Sequence, residues 1–493
     1  MNTQAVPSAA AAVAPSDVVR RVADDAVEIA AVLAGRCMAS QTRPLSTLAG
    51  HPIRVAVASE LVQQQMLERA RDTSEVLRQF ADRRWWAIFD SAADQLEQWV
   101  DHGVLDLALA TASACGGLPP RRVERGILGV TRHLRRLPEI LAAQAPGGRL
   151  TAFRDGVSGT SWSWRPAGRM CAIRVPGNFP TMAVEWLQVL GARRPVVVIT
   201  SDDDPVVSCL IAAALYGAGL PSDALSVCHG SAVTVWRGAD QLVWPGEDVP
   251  SGVAVNRVKT YHFGRSKAIL LPDGAEPETW QRLNRLAFAG SGRLCTNLSS
   301  LAVIGDQHDA AAAARKLAFA FSAIPPLDLD DPAARVPAWP QIDGAKAVEA
   351  SIKREIAAGA VDVTQEVMNV PLLLERNGQT FLRPTVLLTG PESPLFGTEL
   401  PFPFVAVASV ARDEVLAAVR NSLIVSVLDA NGSDIELLET LAAEPTISKV
   451  FAGDHFDRGY EPIDPHEGYL SDFLFQKKPV LTGIVEPRAL YTP

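Results

Sequence analysis

Residues 171–200 decide the fold class, and they read CAIRVPGNFPTMAVEWLQVLGARRPVVVIT. Two apolar segments, 171–175 and 194–200, are typical of buried strands. Between them, residues 182–190 carry the apolar spacing of a helix. A strand, a helix and a second strand in this order predict a βαβ unit with a right-handed crossover, and therefore a parallel sheet. We accordingly expect an α/β protein.

The same alternation continues outward from this unit. Downstream, a helix that stops near Gly219 is followed by three predicted strands, at 225–230, 240–246 and 267–272. After residue 275, helices and strands alternate again in a looser second block. Upstream, 17–35 and 58–145 are rich in helix formers, so most of the first 150 residues are expected to be helical. A parallel sheet of this kind makes a nucleotide the natural ligand, because ligands bind at the carboxyl ends of its strands.

The composition argues against several classes of function. The 493 residues are 48% hydrophobic and 20% charged, as in soluble globular proteins, and their net charge is −9. A negatively charged chain is a poor partner for nucleic acid or an anionic membrane, and no apolar run is long enough to span a bilayer. The first 16 residues lack the basic start of a signal peptide. Six cysteines without metal-binding spacing indicate no metal site and a reducing, cytoplasmic location.

One cysteine differs from the other five in its surroundings. Cys295 follows a loop of small residues, 289–292, and lies near Arg293 in the stretch LAFAGSGRLCTNLSS, residues 286–300. We expect a helix to begin here, so that its N-terminus and Arg293 lower the pKa of the thiol and prepare a nucleophile. Backbone N–H groups at the same place would hold an oxyanion. The alternative is a buried cysteine that serves as a small apolar residue.

Two polar loops are further candidates. Residues 175–181, VPGNFPT, lie at the first βα junction, where the Asn178 amide would donate to a developing oxyanion. The alternative there is a simple Pro-Gly-Asn turn. Residues 396–404, FGTELPFPF, carry Glu399 among aromatic residues and prolines. That carboxylate would either bind a ribose hydroxyl or belong to a structural loop.

In their order and spacing, these loops resemble the motifs of the aldehyde dehydrogenase superfamily. The Pro-x-Asn-Phe-Pro motif of that family corresponds to residues 176–180, and 292–295 is similar to the loop of its catalytic cysteine. The family's Lys-Pro-Ser-Glu segment, whose lysine meets the adenosine ribose, corresponds to 199–202, with Ile199 in place of the lysine and Asp202 in place of the glutamate. The resemblance implies that Cys295 is the nucleophile, that Asn178 and the Cys295 backbone N–H hold the oxyanion, and that the cofactor is contacted by Pro176, Thr200, Ser201, Asp202, Glu399 and Phe402.

Two segments depart from that family pattern. The family's glutamate general base falls on His262, and its nicotinamide loop falls on Trp244, Gly246 and Glu247. Both segments look more like the acyl-CoA reductase branch, typified by the bioluminescence fatty-acid reductase. That resemblance implies NAD(P)H-dependent reduction of an activated acyl group to an aldehyde through a Cys295 thioester, since a missing base spares the thioester from hydrolysis. His262 is expected to act as a base, to assist thiol deprotonation, or to be a structural histidine.

Several alternatives stay open at this point. The acyl donor would be a CoA ester, a carrier-protein thioester or an acyl adenylate, so a carrier protein or an acyl-activating ligase is a possible partner. Oxidation of an aldehyde with His262 as base is one alternative function, and a non-catalytic subunit is another. The carboxylates at 202–204 favour NAD because they would repel a 2′-phosphate, whereas a biosynthetic reductase usually implies NADPH.

The resemblance also implies a domain organisation. We expect an aldehyde dehydrogenase-like fold, with a Rossmann-like nucleotide domain, a catalytic α/β domain, a helical N-terminal region and a small oligomerisation element. The expected segments are a disordered tail at 1–16, the helical region and NAD(P)-binding domain at 17–270, the catalytic domain at 271–465, and a C-terminal tail at 466–493 that returns to the cofactor domain. Strands at 148–166 and the C-terminal tail are expected to join subunits into a homodimer or homotetramer.

Overall fold

The structure is a computed structural model, and it describes residues 13–39, 41–145, 159–246, 248–262, 264–272, 276–428, 434–459 and 461–482. Its N-terminal part combines short strands with helices. These elements are α1 (Pro15–Val18), β1 (Val19–Arg21), β2 (Val27–Ile29), β3 (Ala31–Leu33), β4 (Arg36–Met38), β5 (Thr42–Pro44), β6 (Ile53–Ala56), α2 (Glu60–Arg78), α3 (Asp82–Asp101), α4 (Asp106–Gly116) and α5 (Pro120–Ala143).

Strands replace part of the expected helical region. Helices α2 to α5 agree with the prediction for 58–145, but residues 17–35 form mainly strands, so the helical prediction there is wrong. Strand pairing overrides local propensity in this segment, because β1 and β6 both pair with β2 and bury its apolar side chains. Val13 and Pro15, within the expected disordered tail, are buried, so ordered chain begins before residue 17. Residues 1–12 lie outside the described residues.

A first parallel sheet, sheet I, follows the helices. The elements of this region are β7 (Gly159–Pro166), β8 (Cys171–Arg174), α6 (Val184–Gly191), β9 (Val196–Ile199), α7 (Val207–Gly217), β10 (Leu225–Cys228), α8 (Val233–Gly238), β11 (Gln241–Pro245) and β12 (Val258–Tyr261). Sheet I has the strand order β12-β11-β8-β9-β10-β3-β4. The strands from β8 to β12 are parallel to their neighbours, while β3 and β4 extend the sheet antiparallel.

Sheet I reverses its strand order at β8. The chain runs from β8 to β9 and β10 on one side, then returns to β11 and β12 on the other side. Ile173 of β8 lies opposite Val198 on one flank and Val243 on the other. The βαβ unit expected from 171–200 is therefore present. Its reversal opens a crevice at the carboxyl ends of β8 and β11, where open parallel sheets bind their ligands.

A second sheet, sheet II, occupies the later part of the chain. Its region contains β13 (Ser266–Leu270), α9 (Pro277–Phe288), β14 (Leu298–Ile304), α10 (Gln307–Ser322), β15 (Ala338–Trp339), α11 (Ile342–Ala357), β16 (Val361–Asp362), α12 (Val363–Met368), β17 (Leu373–Arg376), β18 (Gln379–Leu382), β19 (Thr385–Leu388), β20 (Phe404–Val410), α13 (Val415–Val419), β21 (Ser422–Leu428), α14 (Ile435–Ala443) and β22 (Ile447–Ala452). Sheet II has the order β16-β19-β20-β14-β13-β21-β22, with β16 antiparallel to β19.

The change from one sheet to the other comes earlier than expected. Strand β13 was predicted from 267–272 and assigned to the first domain, but it pairs with β14 and β21 inside sheet II. The transition therefore lies between Tyr261 and Ser266 rather than at residue 270. The sequence of a buried strand does not show which sheet the strand will join. The boundary between the two sheets therefore depends on tertiary strand pairing.

The C-terminal segment returns to sheet I. After β22 come α15 (Leu470–Leu474) and β23 (Phe475–Thr482), and β23 pairs antiparallel with β7. Strand β7 pairs with β23 and not with the next strand, β8, which lies inside sheet I. Of the expected strand region 148–166, residues 148–158 lie outside the described residues. The side chain of Gln241 in β11 donates to the carbonyl of Phe473 at 2.6 Å, which ties α15 to sheet I.

Both sheets are covered on both faces, as parallel sheets require. Alternate residues of β9 enter two different apolar cores, Val196 and Val198 on one face and Val197 and Ile199 on the other. Helix α7 ends just before Gly219, which has a φ of 94° and so supplies the left-handed turn predicted there. Among the described residues, every helix is either too short or too polar to cross a lipid bilayer.

Candidate active site

A cavity of about 200 Å³ lies at the switch point of sheet I. One wall is formed by the carboxyl ends of three strands and their following loops, with Arg174, Pro176, Gly246 and Tyr261 among the lining residues. Cys295 and Glu399 reach the same cavity from the side of sheet II, and His466 reaches it from the C-terminal segment. Residues far apart in the sequence thus meet at one crevice.

The loop before Cys295 is held by close backbone contacts and by one asparagine. Gly290 and Ser291 adopt left-handed φ values of 52° and 61°. A Cβ on Gly292 would lie 2.4 Å from the Pro403 backbone nitrogen, so only glycine allows this approach. The Asn297 side chain accepts from the Leu294 N–H and donates to the Ala289 carbonyl at 2.9 Å. The position of Cys295 is therefore fixed by the loop itself.

The expected activation of the thiol by a helix is wrong. Cys295 is followed by a turn and then by β14, so it lies before a strand and not at a helix N-terminus. Arg293 also faces elsewhere, since its guanidinium donates to the carbonyls of Gly116, Ala338 and Pro401. Burial, reinforced by the charge of Glu399, raises the pKa of the Cys295 thiol. The thiol is consequently protonated at neutral pH in this structure.

The structure instead reveals a histidine beside the thiol. His466 Nε2 lies 3.2 Å from Cys295 Sγ. The imidazole is buried, and its ring meets the Tyr261 ring edge-on with the centroids 4.9 Å apart. Burial, and to a lesser extent the charges of Lys449 and Lys259, lowers the pKa of His466 to about 3. Sequence reasoning missed this residue because it lies 171 positions from the thiol, in a segment expected to be an irregular tail.

His262, the expected base, lines the same cavity in a different setting. Its side chain is 53% exposed, and Nδ1 lies 3.2 Å from the carboxylate of Glu467. The same carboxylate accepts the backbone N–H of His262 at 3.1 Å. Lys259 Nζ in turn donates to the Glu467 carbonyl at 2.9 Å. His262 is thus oriented by its carboxylate neighbour, and its role as a base remains a prediction.

Asn178 also lies at the cavity, where its amide has structural partners. One N–H of Nδ2 donates to the carbonyl of Arg293 at 2.8 Å, and Oδ1 accepts the Phe179 N–H at 3.1 Å. The amide therefore connects the loop after β8 to the loop that carries Cys295. An amide nitrogen has two hydrogens, so one donor is left for an oxyanion.

The expected cofactor residues divide into two groups. Pro176, Gly246 and Glu399 line the cavity. Glu399 accepts the Gly264 N–H at 2.6 Å, and burial raises the pKa of its carboxyl group. A Cβ on Gly246 would meet no atom within 4 Å, so the wall is open at this residue. Glu399 thus supplies a carboxyl group at the crevice, and Gly246 leaves free space beside it.

The remaining expected residues do not line this cavity. Thr200 is buried and bonds to the His229 ring at 2.7 Å, while Asp202 forms an ion pair with Arg43 on the surface. Ser201 accepts the N–H of Asp203. Trp244 and Phe402 pack elsewhere, Trp244 beneath the Arg174 guanidinium at 5.3 Å and Phe402 in the core with 1% exposure. Glu247 lies outside the described residues.

Within the part of the chain that the structure describes, no group of three or more histidine, cysteine, aspartate or glutamate side chains is placed to hold a metal ion. All six cysteines fall within that part and are free thiols.

Comparisons with known proteins bear on this fold and site. No family model matches the sequence. Malonate-semialdehyde dehydrogenase 1 of Oceanobacillus iheyensis is 27% identical over 177 residues, which is 33% of this chain and 36% of that protein. The mitochondrial, acylating methylmalonate-semialdehyde dehydrogenase of Arabidopsis thaliana is 26% identical over 185 residues, 34% of this chain and 29% of that protein. The indole-3-acetaldehyde dehydrogenase of P. syringae, solved with NAD+, superposes with a TM-score of 0.75 at 20% identity, covering 92% of this chain and 96% of that chain.

The chain has the aldehyde dehydrogenase fold, because the structural match extends over nearly its full length. The superfamily that the motifs resemble is supported by this fold and by the names of the curated relatives. The sequence alignments with those relatives span only about a third of their length.

The expected direction of the reaction is wrong. We expected reduction of an activated acyl group, but the curated relatives and the structural neighbours are named as dehydrogenases of aldehydes. These names describe aldehyde oxidation, which was the alternative function. The expectation of reduction rested on the missing glutamate at His262, and a missing base alone does not set the direction of a reaction.

Proposed function

We propose that this chain oxidises a small aldehyde with NAD+ or NADP+ through a thioester on Cys295. One observation carries the proposal: a half-buried free thiol and an imidazole 3.2 Å away face a cavity at the switch point of a parallel sheet. A thiol next to a base is the arrangement that nucleophilic catalysis requires. The nucleotide cofactor would supply the hydride acceptor for the oxidation.

The residues around the cavity would divide the work as follows. Cys295 adds to the aldehyde carbon, and the remaining amide hydrogen of Asn178 stabilises the oxyanion that forms. Departure of the hydride then leaves an acyl group on Cys295. Water or coenzyme A takes up this acyl group, and the relative from Arabidopsis thaliana is named for the acylating variant. We assign the assistance of that second step to His262, whose Nδ1 lies beside the Glu467 carboxylate.

The crevice suits a dinucleotide because of its topology and its open wall. It lies at the carboxyl ends of β8 and β11, where the strand order reverses. Gly246 leaves its wall open, and Glu399 offers a carboxylate for a ribose hydroxyl. The surface pair of Asp202 with Arg43 gives a nearby carboxylate that would oppose a 2′-phosphate and a guanidinium that would attract one. Both NAD+ and NADP+ therefore belong in the test.

The cavity also limits the substrate. At about 200 Å³ it has room for a small aldehyde, and the side chains of Ile173, Val175, Met182 and Val243 make much of its wall apolar. The curated relatives are named for malonate and methylmalonate semialdehydes. These two compounds and short aliphatic aldehydes are the first substrates to test.

The decisive experiment follows the reduction of NAD+ and NADP+ at 340 nm. The purified chain is mixed with each aldehyde, with and without coenzyme A, and the products are identified by mass spectrometry. We expect one cofactor to be reduced, and Cys295→Ala to lower the rate by about 1000-fold or more. Cys37→Ala, which removes a half-buried thiol from β4, is the matched control and should keep the wild-type rate.

Two results would contradict the proposal. One is a folded wild-type protein that reduces neither cofactor with any aldehyde, which would favour a non-catalytic subunit. The other is a Cys295→Ala variant with an undiminished rate. If coenzyme A accelerates turnover and an acyl-CoA accumulates, the enzyme is acylating; if free acid accumulates regardless, water is the acceptor.

We further propose that the paired strands β7 and β23 join subunits. Eight residue pairs hold this ribbon together, and a two-stranded ribbon by itself is only marginally stable in water. Light scattering of the purified chain should then give the mass of a dimer or tetramer. A monomer at micromolar concentration would contradict this assembly.

A further inference from the structure

The Cys295 thiol lies beside an imidazole, and the position of that ring determines which atom can take the thiol proton. His466 Nε2 lies 3.2 Å from Sγ, within hydrogen-bond reach of the thiol. His466 lies outside the loops that resemble the superfamily motifs, in the segment between β22 and α15.

The His466 ring is held firmly in place. The side chain is 8% exposed and packs edge-on against Tyr261, whose hydroxyl donates to Glu185 at 2.8 Å. Nδ1 has no hydrogen-bond partner among the described residues. A neutral ring with its proton on Nδ1 presents the Nε2 lone pair to the thiol. Geometry thus allows His466 to accept the thiol proton without moving.

The charges around the pair oppose its ionisation at rest. Lys449 and Lys259 disfavour a charged His466 ring. The charges of Glu399, Glu185 and Glu467 disfavour a thiolate, and only part of this effect is offset by Lys449, which favours one. A resting thiolate–imidazolium pair is therefore unfavourable. A proton transfer that accompanies attack on the aldehyde avoids a free thiolate, because the negative charge develops on the aldehyde oxygen instead of on sulfur.

We propose that His466 is the proton acceptor for Cys295 when the thiol adds to the aldehyde. This role deepens the proposed function and rests on it. In the step, the Sγ–carbon bond forms, the carbonyl electron pair moves to oxygen, and the thiol proton passes to Nε2. When the C–H bond breaks, the hydride goes to the nicotinamide cofactor and the carbonyl of the thioester is restored. The proton on His466 is then released to solvent.

His262 is the competing candidate for this task. It lines the cavity, but its Nδ1 faces the Glu467 carboxylate and its side chain is largely exposed. Only His466 is within hydrogen-bond distance of Sγ among the described residues. The two histidines are thus assigned to different steps, with His466 acting on the thiol.

The first test measures the thiol directly and needs no aldehyde. Alkylation of Cys295 by iodoacetamide is followed by peptide mass spectrometry from pH 6 to 10 in wild type, His466→Gln and His308→Gln. His308 is exposed at the start of α10 and serves as the control. We expect His466→Gln to slow alkylation at pH 7.5 by about tenfold or more, because the remaining route needs prior ionisation of a thiol with a high pKa. An unchanged rate and pH profile would overturn the proposal.

The second test uses turnover and chemical rescue. His466→Ala should lower kcat/KM for aldehyde oxidation by about 100- to 10,000-fold, and its rate should rise tenfold per pH unit as the thiol ionises. Added imidazole should restore part of the activity by entering the space left by the ring. A loss of activity with wild-type alkylation and no rescue would mark His466 as merely structural. If wild type oxidises no aldehyde but His466→Gln still slows alkylation, the proposed function fails while the proton transfer stands.

Discussion

The two walls of the cavity are built in opposite ways. The sheet I wall comes from strand ends and the loops that directly follow them, such as residues 173–178. The facing wall gathers Cys295, Glu399 and His466 from three separate segments, joined by contacts such as the one between Glu399 and the Gly264 N–H. The first wall follows from the sheet topology alone. The second depends on individual long-range hydrogen bonds and close backbone approaches, so single substitutions should damage it more.

The largest effect should come from Gly264. A Cβ at this residue would lie 1.6 Å from the Cys295 carbonyl oxygen, so Gly264→Ala must displace the backbone that carries the thiol. We expect a loss of at least about 3 kcal/mol in the free energy of unfolding, together with most of the catalytic activity. Urea unfolding followed by circular dichroism measures the first, and cofactor reduction measures the second.

The control for this substitution is Gly50→Ala. A Cβ on Gly50 would meet no atom within 4 Å, so its stability should stay within about 0.5 kcal/mol of wild type. If both substitutions lowered the free energy of unfolding equally, the wall that carries Cys295 would be no more sensitive to an added Cβ than an open surface turn.

The next effect tests the contact between the two walls. Asn178→Ala removes the amide that bonds the Arg293 carbonyl and offers a hydrogen to the oxyanion. We expect kcat to fall by about 100- to 1000-fold. Asn178→Asp keeps a side chain of the same size but puts a negative charge next to the oxyanion, so it should be at least as inactive. A kcat within threefold of wild type for Asn178→Ala would remove Asn178 from the oxyanion site.

The next prediction concerns how the stability of the region around sheet I depends on pH. His229 bonds to Thr200, and burial lowers its pKa from 6.5 to about 4. Between pH 6.5 and 4, His229 is protonated in the unfolded chain but not in the folded chain. The free energy of unfolding therefore falls as the pH is lowered through this range. His229 alone should account for a few kcal/mol of that loss. His229→Gln should flatten the slope of unfolding free energy against pH, whereas His308→Gln should leave it unchanged.

The smallest effect concerns the surface carboxylate beyond the crevice. Asp202→Asn breaks an exposed ion pair with Arg43 and should cost less than about 1 kcal/mol of stability. Its effect on cofactor choice should be larger, because a carboxylate near a ribose repels a 2′-phosphate. We expect the ratio of kcat/KM for NADP+ to that for NAD+ to rise several-fold. An unchanged ratio would place Asp202 outside the cofactor site.

The sequence predicted the first wall well because its determinants are local. Strands and the Pro-Gly-Asn loop between 171 and 200 carry their own periodicity, and Asn178 and Pro176 reach the cavity as expected. The fold class followed from the same alternation. Cys295, singled out by its loop, also lines the cavity, although the expected helix after it is a turn and a strand.

The second wall could not be predicted, because its partners are remote in sequence. The position of Arg293 in the sequence suggested that it activates the thiol. Its guanidinium instead donates to backbone carbonyls that are more than 40 residues away in the sequence. His466 carries no local signal at all. The strands in 17–35 could not be predicted either, because β2 is stabilised by pairing with β6 and β3 by pairing with β10 of sheet I.

The late position of His466 in the chain has a consequence during synthesis. Residues 466–482 follow every other described element, and the imidazole is made 171 residues after its thiol. At a translation rate of about 5–20 residues per second, His466 is made on the order of ten seconds or more after Cys295. The nascent chain therefore carries a thiol without its proton acceptor. The active site is therefore complete only after residues 466–482 have been made and have docked.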